Sequence, residues 1–196
     1  DRLMCVDLHT SQIQGFFDGP VDHLFAIPVL AKRIRDRVAD LSNVTVVSPD
    51  TGRVRVAEHW ADLLDGAPLA FVHKTRDINV PNQAVSKTVV GDIEGRTCVL
   101  IDDMIDTGGT IAGAVKVLMD KGAKEVIIAA THPVLSDPAA ERLSQCGAVE
   151  VIVTNTLPVS EEKQFDNLTI LSIAPLIARA IREVFDEGSV TEIFDH

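Results

Sequence analysis

The stretch from Val99 to Thr110, VLIDDMIDTGGT, constrains this chain more than any other part of it. An apolar run passes into Asp102 and Asp103, then Asp106, then a Thr-Gly-Gly-Thr turn, and a helical pattern follows at Ile111, Val115, Leu118 and Met119. This is a buried strand, a loop at its carboxyl end and the start of a helix. Open α/β sheets place their ligands at such strand ends. Gly108 and Gly109 let backbone N–H groups approach an anion, and Thr107 and Thr110 add hydroxyl donors. The helix N-terminus behind them carries partial positive charge, which suits a phosphate. Asp102, Asp103 and Asp106 would repel that phosphate unless they grip sugar hydroxyls or hold a divalent cation. The segment therefore predicts a cradle for a sugar phosphate. The alternative is a capped helix behind a solvated acidic run.

The rest of the chain alternates in the same way. Leu3 to Val6, Thr45 to Ser48, Leu69 to Val72, Thr97 to Ile101, Glu125 to Ala130, Val149 to Val153 and Leu168 to Leu171 read as strands, with Thr88 to Val90 a further candidate. Helical spacing covers Ala26 to Leu41 (stripe Leu30, Ile34, Val38, Leu41), Val54 to Leu64, Ile111 to Lys121 and Ile173 to Phe185 (stripe Ile177, Ile181, Val184). A further helix is expected to open at Ser136-Asp137-Pro138 and to end near Gly147. Alternation of this kind predicts an α/β, Rossmann-like fold: a parallel sheet with helices on both faces. The basic run Lys32, Arg33, Arg35 and Arg37 is expected on a solvated or interface face. The 196 residues allow one large or two small domains. A strand so close to the first residue leads us to expect that an N-terminal portion is missing from this chain.

Composition removes several classes of function. A formal net charge of −11 argues against a nucleic-acid partner. Three cysteines without CxxC spacing give no disulfide framework and point to a reducing, cytoplasmic setting. No apolar run approaches membrane-spanning length and no signal peptide is visible, so no membrane association is expected.

Two further strand ends carry chemistry. Asp7 and His9 follow the first strand two residues apart, so both can face one ligand or hold a cation. The alternative is a structural pair. Thr45 to Ser48 runs into Pro49-Asp50-Thr51-Gly52-Arg53, which reads either as a second ligand loop at the same sheet edge or as a helix-capping turn. After Leu69 to Val72 comes His73-Lys74-Thr75-Arg76, then Asp77 to Ser86 with Pro81 and no period. The latter reads as a mobile flap, and cations at its base suit closure over a polyphosphate. A solvated basic turn is the alternative.

Three elements together, DLHTSQIQGFF (Asp7 to Phe17), SPD (Ser48 to Asp50) and IDDMIDTGGT (Ile101 to Thr110), carry a resemblance. The chain resembles the ribose-phosphate diphosphokinase (phosphoribosyl pyrophosphate synthetase) family along nearly its whole length, including GSVTEIF at Gly188 to Phe194. The TGGT cradle is shared with phosphoribosyltransferases, whereas the His9 segment is similar to the synthetases alone. The resemblance implies two related phosphoribosyltransferase-like domains. Residues 1–25 would be a remnant of the first plus a linker, and residues 26–196 the second, with an approximate boundary. It implies transfer of the diphosphoryl group of ATP to the C1 hydroxyl of ribose 5-phosphate, with Mg²⁺ required. By position, Asp106, Thr107, Gly108, Gly109 and Thr110 cradle the 5-phosphate, and Asp102 and Asp103 meet the ribose hydroxyls. Lys74 and Arg76 match catalytic cations, with Arg76 also on the substrate. Asp50, Thr51, Gly52 and Arg53 match the diphosphate loop, and His9 and Asp50 match metal-associated positions, with Asp7 a weaker third. The family assembles as homo-oligomers, commonly hexamers built from dimers. A non-catalytic regulatory homologue and a phosphoribosyltransferase that consumes phosphoribosyl diphosphate are the alternatives. This sequence has Arg53 where the family has a second glycine, and Pro133 where it has a small residue.

Overall fold

The computed structural model describes residues 1–50, 54–75 and 86–194. Thr51, Gly52, Arg53, Arg76 and the expected flap over 77–85 lie outside the described residues, and Lys74 is described only as a strand residue.

Among the described residues the main sheet has the order β5-β4-β3-β6-β7-β8-β9. Its strands are β3 (Val44–Ser48), β4 (Leu69–Thr75), β5 (Ser86–Val90), β6 (Thr97–Ile105), β7 (Glu125–Pro133), β8 (Glu150–Thr154) and β9 (Leu168–Leu171). All neighbours pair in parallel except β5, an antiparallel edge strand on β4. The expected parallel α/β sheet is present, with this hairpin added. β1 (Leu3–Val6) and β2 (Val21–Leu24) pair in parallel as a separate two-stranded sheet.

The apolar strand runs are continuous because both faces of the sheet are covered. Successive side chains alternate between faces, so each run divides between two cores. Val99, Ile101, Ile127, Ala129 and Ile152 pack under helices α1 (Ile27–Arg37), α2 (Val54–Leu63) and α5 (Ala174–Phe185) through Leu30, Ile34, Trp60, Leu64 and Ala180. Cys98, Leu100, Val126, Ile128 and Val151 pack under α3 (Gly109–Asp120) and α4 (Ala139–Gln145) through Ile111, Val115, Leu118 and Leu143. Burial pushes the Cys98 thiol up to about 12, so it behaves as an inert core group.

Several elements differ from their expected bounds. α1 stops at Arg37, and Val38 leaves it with extended backbone, yet Val38 and Leu41 still pack against the core. In α5 the buried residues are Leu176 and Ala180, while Ile181 is exposed. This helix is apolar over a broad arc, and contact with the sheet selects one edge of it. α4 starts after a cis Asp137–Pro138 bond without a side-chain cap. Pro133 is the last residue of β7, opposite Ile105.

The basic run of α1 divides: Lys32 and Arg35 are exposed, as expected, whereas Arg33 and Arg37 turn to a buried carboxylate. Arg33 donates to Glu150 Oε1 through Nε and Nη2 (3.1 and 2.8 Å), and Arg37 Nε reaches Glu150 Oε2 at 2.8 Å. The Thr169 hydroxyl donates to Oε1 at 2.6 Å. These bonds tie α1 to the first residues of β8 and to β9. Burial alone would raise the Glu150 pKa. The Thr169 hydroxyl and then the Arg33 and Arg37 guanidiniums outweigh it and hold the carboxyl below its usual range. A depressed carboxylate pKa contributes stability that is complete above the unfolded-state value and lost as pH falls through the folded one. Glu150→Gln is therefore expected to lower stability at pH 7 by about 2 kcal/mol, less than a fully enclosed pair because the arginines are partly exposed. Urea unfolding should show this difference shrinking as the pH drops below about 4. A difference that persists unchanged in acid would refute the assignment.

Candidate functional site

The strand order changes direction between β3 and β6: β4 lies on one side of this pair, and β7 to β9 follow on the other. Loops leaving two such strands diverge and open a crevice at their carboxyl ends. An open pocket of about 280 Å³ lies there. Its walls include His9, Asp50, Asp102, Asp103, Asp106, Thr107, Gly108, Gly109 and Thr110. Three segments far apart in sequence thus meet in one place.

The glycine-loop end of the pocket is built locally. Gly108 takes the left-handed conformation (φ +69°) as the N-cap of α3, and its carbonyl accepts the first helical bond from Ala112 N at 2.9 Å. The N–H groups of Gly109, Thr110 and Ile111 have no intrahelical partner at such a helix start. A Cβ on Gly108 would lie 3.5 Å from Leu143 Cγ and 3.6 Å from Ala139 Cα. α4 therefore packs directly behind the loop. Arg142 of α4 donates to the Thr107 carbonyl at 2.9 Å and ties the loop to that helix. Periodicity did not single out Arg142, since an exposed arginine on a short helix has no distinctive spacing.

The acidic end differs in detail from expectation. β6 continues to Ile105, paired with β7 through Asp102–Ala130 and Met104–His132, so Asp102 and Asp103 belong to the strand and not to a loop. Asp102 Oδ1 accepts from the Asp103 N–H at 2.9 Å. Asp103 Oδ2 lies 2.7 Å from His9 Nδ1; the carboxyl is only 10% exposed and the imidazole 56%. His9 therefore reaches the pocket from the two-stranded sheet.

Asp7 is not among the residues that line the pocket with His9. Its Oδ2 accepts from Ala26 N (3.0 Å) at the start of α1 and from the Thr131 hydroxyl (2.6 Å). The structural-pair alternative holds for Asp7. Its backbone bends with φ +41°, and Leu8 N donates to His23 Nε2 at 2.9 Å. Burial lowers the His23 pKa, against the raising effect of the Asp7 carboxylate, which keeps that ring neutral and able to accept.

Among the described residues no three His, Cys, Asp or Glu side chains gather closely enough to hold a metal ion by themselves. One imidazole with carboxylates in an open pocket suits a hard cation that keeps several waters and is completed by substrate phosphates, as Mg²⁺ does. The donor set fits such an ion.

Residues 64–195 match the family described as phosphoribosyl synthetase-associated domain. The chain belongs to the phosphoribosyl synthetase family. This family member is 66% identical over 196 residues to the ribose-phosphate pyrophosphokinase of Bifidobacterium longum and 69% identical over 195 residues to that of Mycobacterium bovis. It spans all of its own length but 58% and 60% of theirs. The crystal structure of phosphoribosylpyrophosphate synthetase from Mycobacterium smegmatis superposes with a TM-score of 0.87 at 64% identity, over 96% of this chain and 60% of that one. The α/β fold with a mostly parallel sheet expected from the sequence is the fold of this chain, and the chain shares it with that synthetase. No described helix is long and apolar enough to cross a membrane.

Proposed function

We propose that the protein containing this chain is a ribose-phosphate diphosphokinase. One observation carries the reading. His9, Asp50 and the Asp102–Thr110 segment, which are separate in sequence, line one polar pocket at the direction change of the sheet. That pocket has an anion seat at one end and carboxylates at the other, which is the polarity of a pentose phosphate.

The 5-phosphate sits on the amides of Gly109, Thr110 and Ile111 and the hydroxyls of Thr107 and Thr110, with Asp106 at its edge. Asp102 and Asp103 orient the ribose hydroxyls. The C1 oxygen attacks the β-phosphorus of ATP, its bond to phosphorus forms as the α–β bridging bond breaks, and AMP leaves. The hydroxyl proton passes to solvent. Charge on the non-bridging oxygens is met by Lys74 and Arg76, with the Asp50–Arg53 segment receiving the diphosphate. Bound Mg²⁺ neutralises the phosphate charge, and His9 and Asp50 are the residues to hold it. Residues 1–25 belong to a preceding domain and linker and 26–196 to the second, a division supported by the separate β1–β2 sheet that ends at Leu24. Assembly into a homo-oligomer, a hexamer built from dimers, and a cytoplasmic location complete the proposal.

The test uses the full-length protein with ATP, Mg²⁺ and ribose 5-phosphate. AMP formation that depends on the sugar is expected. Its absence overturns the reading in favour of a non-catalytic homologue. Consumption of phosphoribosyl diphosphate with a free base would instead indicate a phosphoribosyltransferase.

A further inference from the structure

The bend that delivers His9 to the pocket is held from outside itself. Val6 ends β1 and Asp7 follows it, and their two carbonyl oxygens lie 3.1 and 3.0 Å from His132 Nε2. Carbonyls only accept, so Nε2 carries the proton and donates to both. The other ring nitrogen, Nδ1, lies 2.9 Å from the Thr156 hydroxyl, at the end of β8. The preceding residue, Thr131, donates its hydroxyl to Asp7 Oδ2 at 2.6 Å. Two consecutive residues of β7 therefore grip the backbone and the side chain of one bend in a separate sheet.

The bend needs such a grip. A positive φ at Asp7 is a conformation that non-glycine residues adopt at a cost of about 1 kcal/mol, and it persists where surrounding contacts impose it. His132 stands opposite Met104 in the β6–β7 register, one residue from Asp103. The sheet thus sets both the clamp and the His9 partner at the same level.

We propose that His132 is a positioning residue: it pins the Val6–Asp7 carbonyls to the end of β7 and so sets His9 against Asp103 over the pocket. This rests on the reading above that His9 works at that pocket. His132 itself does not line the pocket. The phosphate seat is built by β6, α3 and α4, so releasing the bend leaves it intact.

The experiment compares His132→Ala and His132→Gln in the full-length protein. In His132→Ala, amide hydrogen exchange over residues 6–9 should quicken by about tenfold or more. Turnover should fall by about 10- to 100-fold, the scale of a catalytic group displaced by about 1 Å. The calorimetric affinity for ribose 5-phosphate should stay within about twofold. Glutamine, whose amide N–H reaches the same carbonyls, should restore most of the loss. Unchanged exchange over residues 6–9, or sugar affinity lost in step with turnover, overturns the proposal. Should His132→Ala not fold, His132→Asn, whose shorter side chain keeps a polar group but does not reach both carbonyls, is read in the same way: faster exchange over residues 6–9 is expected, and wild-type exchange overturns the clamp. A wild-type protein that forms no sugar-dependent AMP would remove the functional reading, and the exchange data would still decide whether His132 holds the bend.

Discussion

Turnover of the full-length protein is expected to fall about 10²- to 10³-fold when Lys74 becomes alanine, with ribose 5-phosphate still bound. Lys74 is the penultimate residue of β4, opposite Lys87 of β5 in the antiparallel register. β4 runs parallel to β3, whose carboxyl end leads to Asp50 at the pocket. Lys74 is therefore placed at the sheet edge from which the proposed chemistry is approached. Diphosphoryl transfer spreads charge over non-bridging oxygens, and a positioned ammonium stabilises that charge more in the transition state than in bound ATP. Loss of such a group lowers kcat more than substrate affinity. Steady-state kinetics paired with calorimetry on the sugar phosphate checks this. A near-normal kcat would take Lys74 out of the mechanism.

Gly108→Val should have the opposite signature, loss of sugar-phosphate affinity by about 100-fold at low to moderate cost in stability. The left-handed conformation of Gly108 costs a residue with a side chain about 1–2 kcal/mol, more when it is β-branched. The added Cβ also meets Leu143 and Ala139 at ordinary contact distance, and the further methyls of valine have to displace α4 or the loop. The loop is expected to give way, since Ala139 and Leu143 hold α4 in the core. The amides of Gly109 and Thr110 then turn from the anion. Titration calorimetry with ribose 5-phosphate and a thermal melt separate the two effects. Unchanged affinity would show that the anion does not sit at this helix start.

The two variants probe features that differ in how far local sequence specifies them. The proposed phosphate seat is made by consecutive residues: an apolar strand, a glycine that accepts a positive φ and the first turn of α3. Each obeys a short-range rule, so Val99 to Thr110 is legible without knowledge of the rest. The same holds for the two-faced burial of β6 and β7, because an apolar run without alternation has to be covered on both sides.

Other features depend on partners far along the chain. Asp7 and His9 look equivalent in sequence, yet Thr131, 124 residues away, and Ala26 take the Asp7 carboxylate while Asp103 takes His9. The arginines of α1 look like a solvated stripe until Glu150, 117 residues from Arg33, is found buried against them. β6 extends through its own acidic pair because β7 offers a ladder as far as Pro133.

The amino-acid order alone was enough for the strand–loop–helix unit and the α/β alternation, and it is the source of the proposed ligand class, since these rest on steric preference and side-chain chemistry within about a dozen neighbouring residues. Folding in three dimensions chose which carboxylate is structural, which face of α5 is covered and what steadies His9. Those choices are made by sheet register and by desolvation of paired charges, and both depend on residues that become neighbours only when the chain has closed on itself.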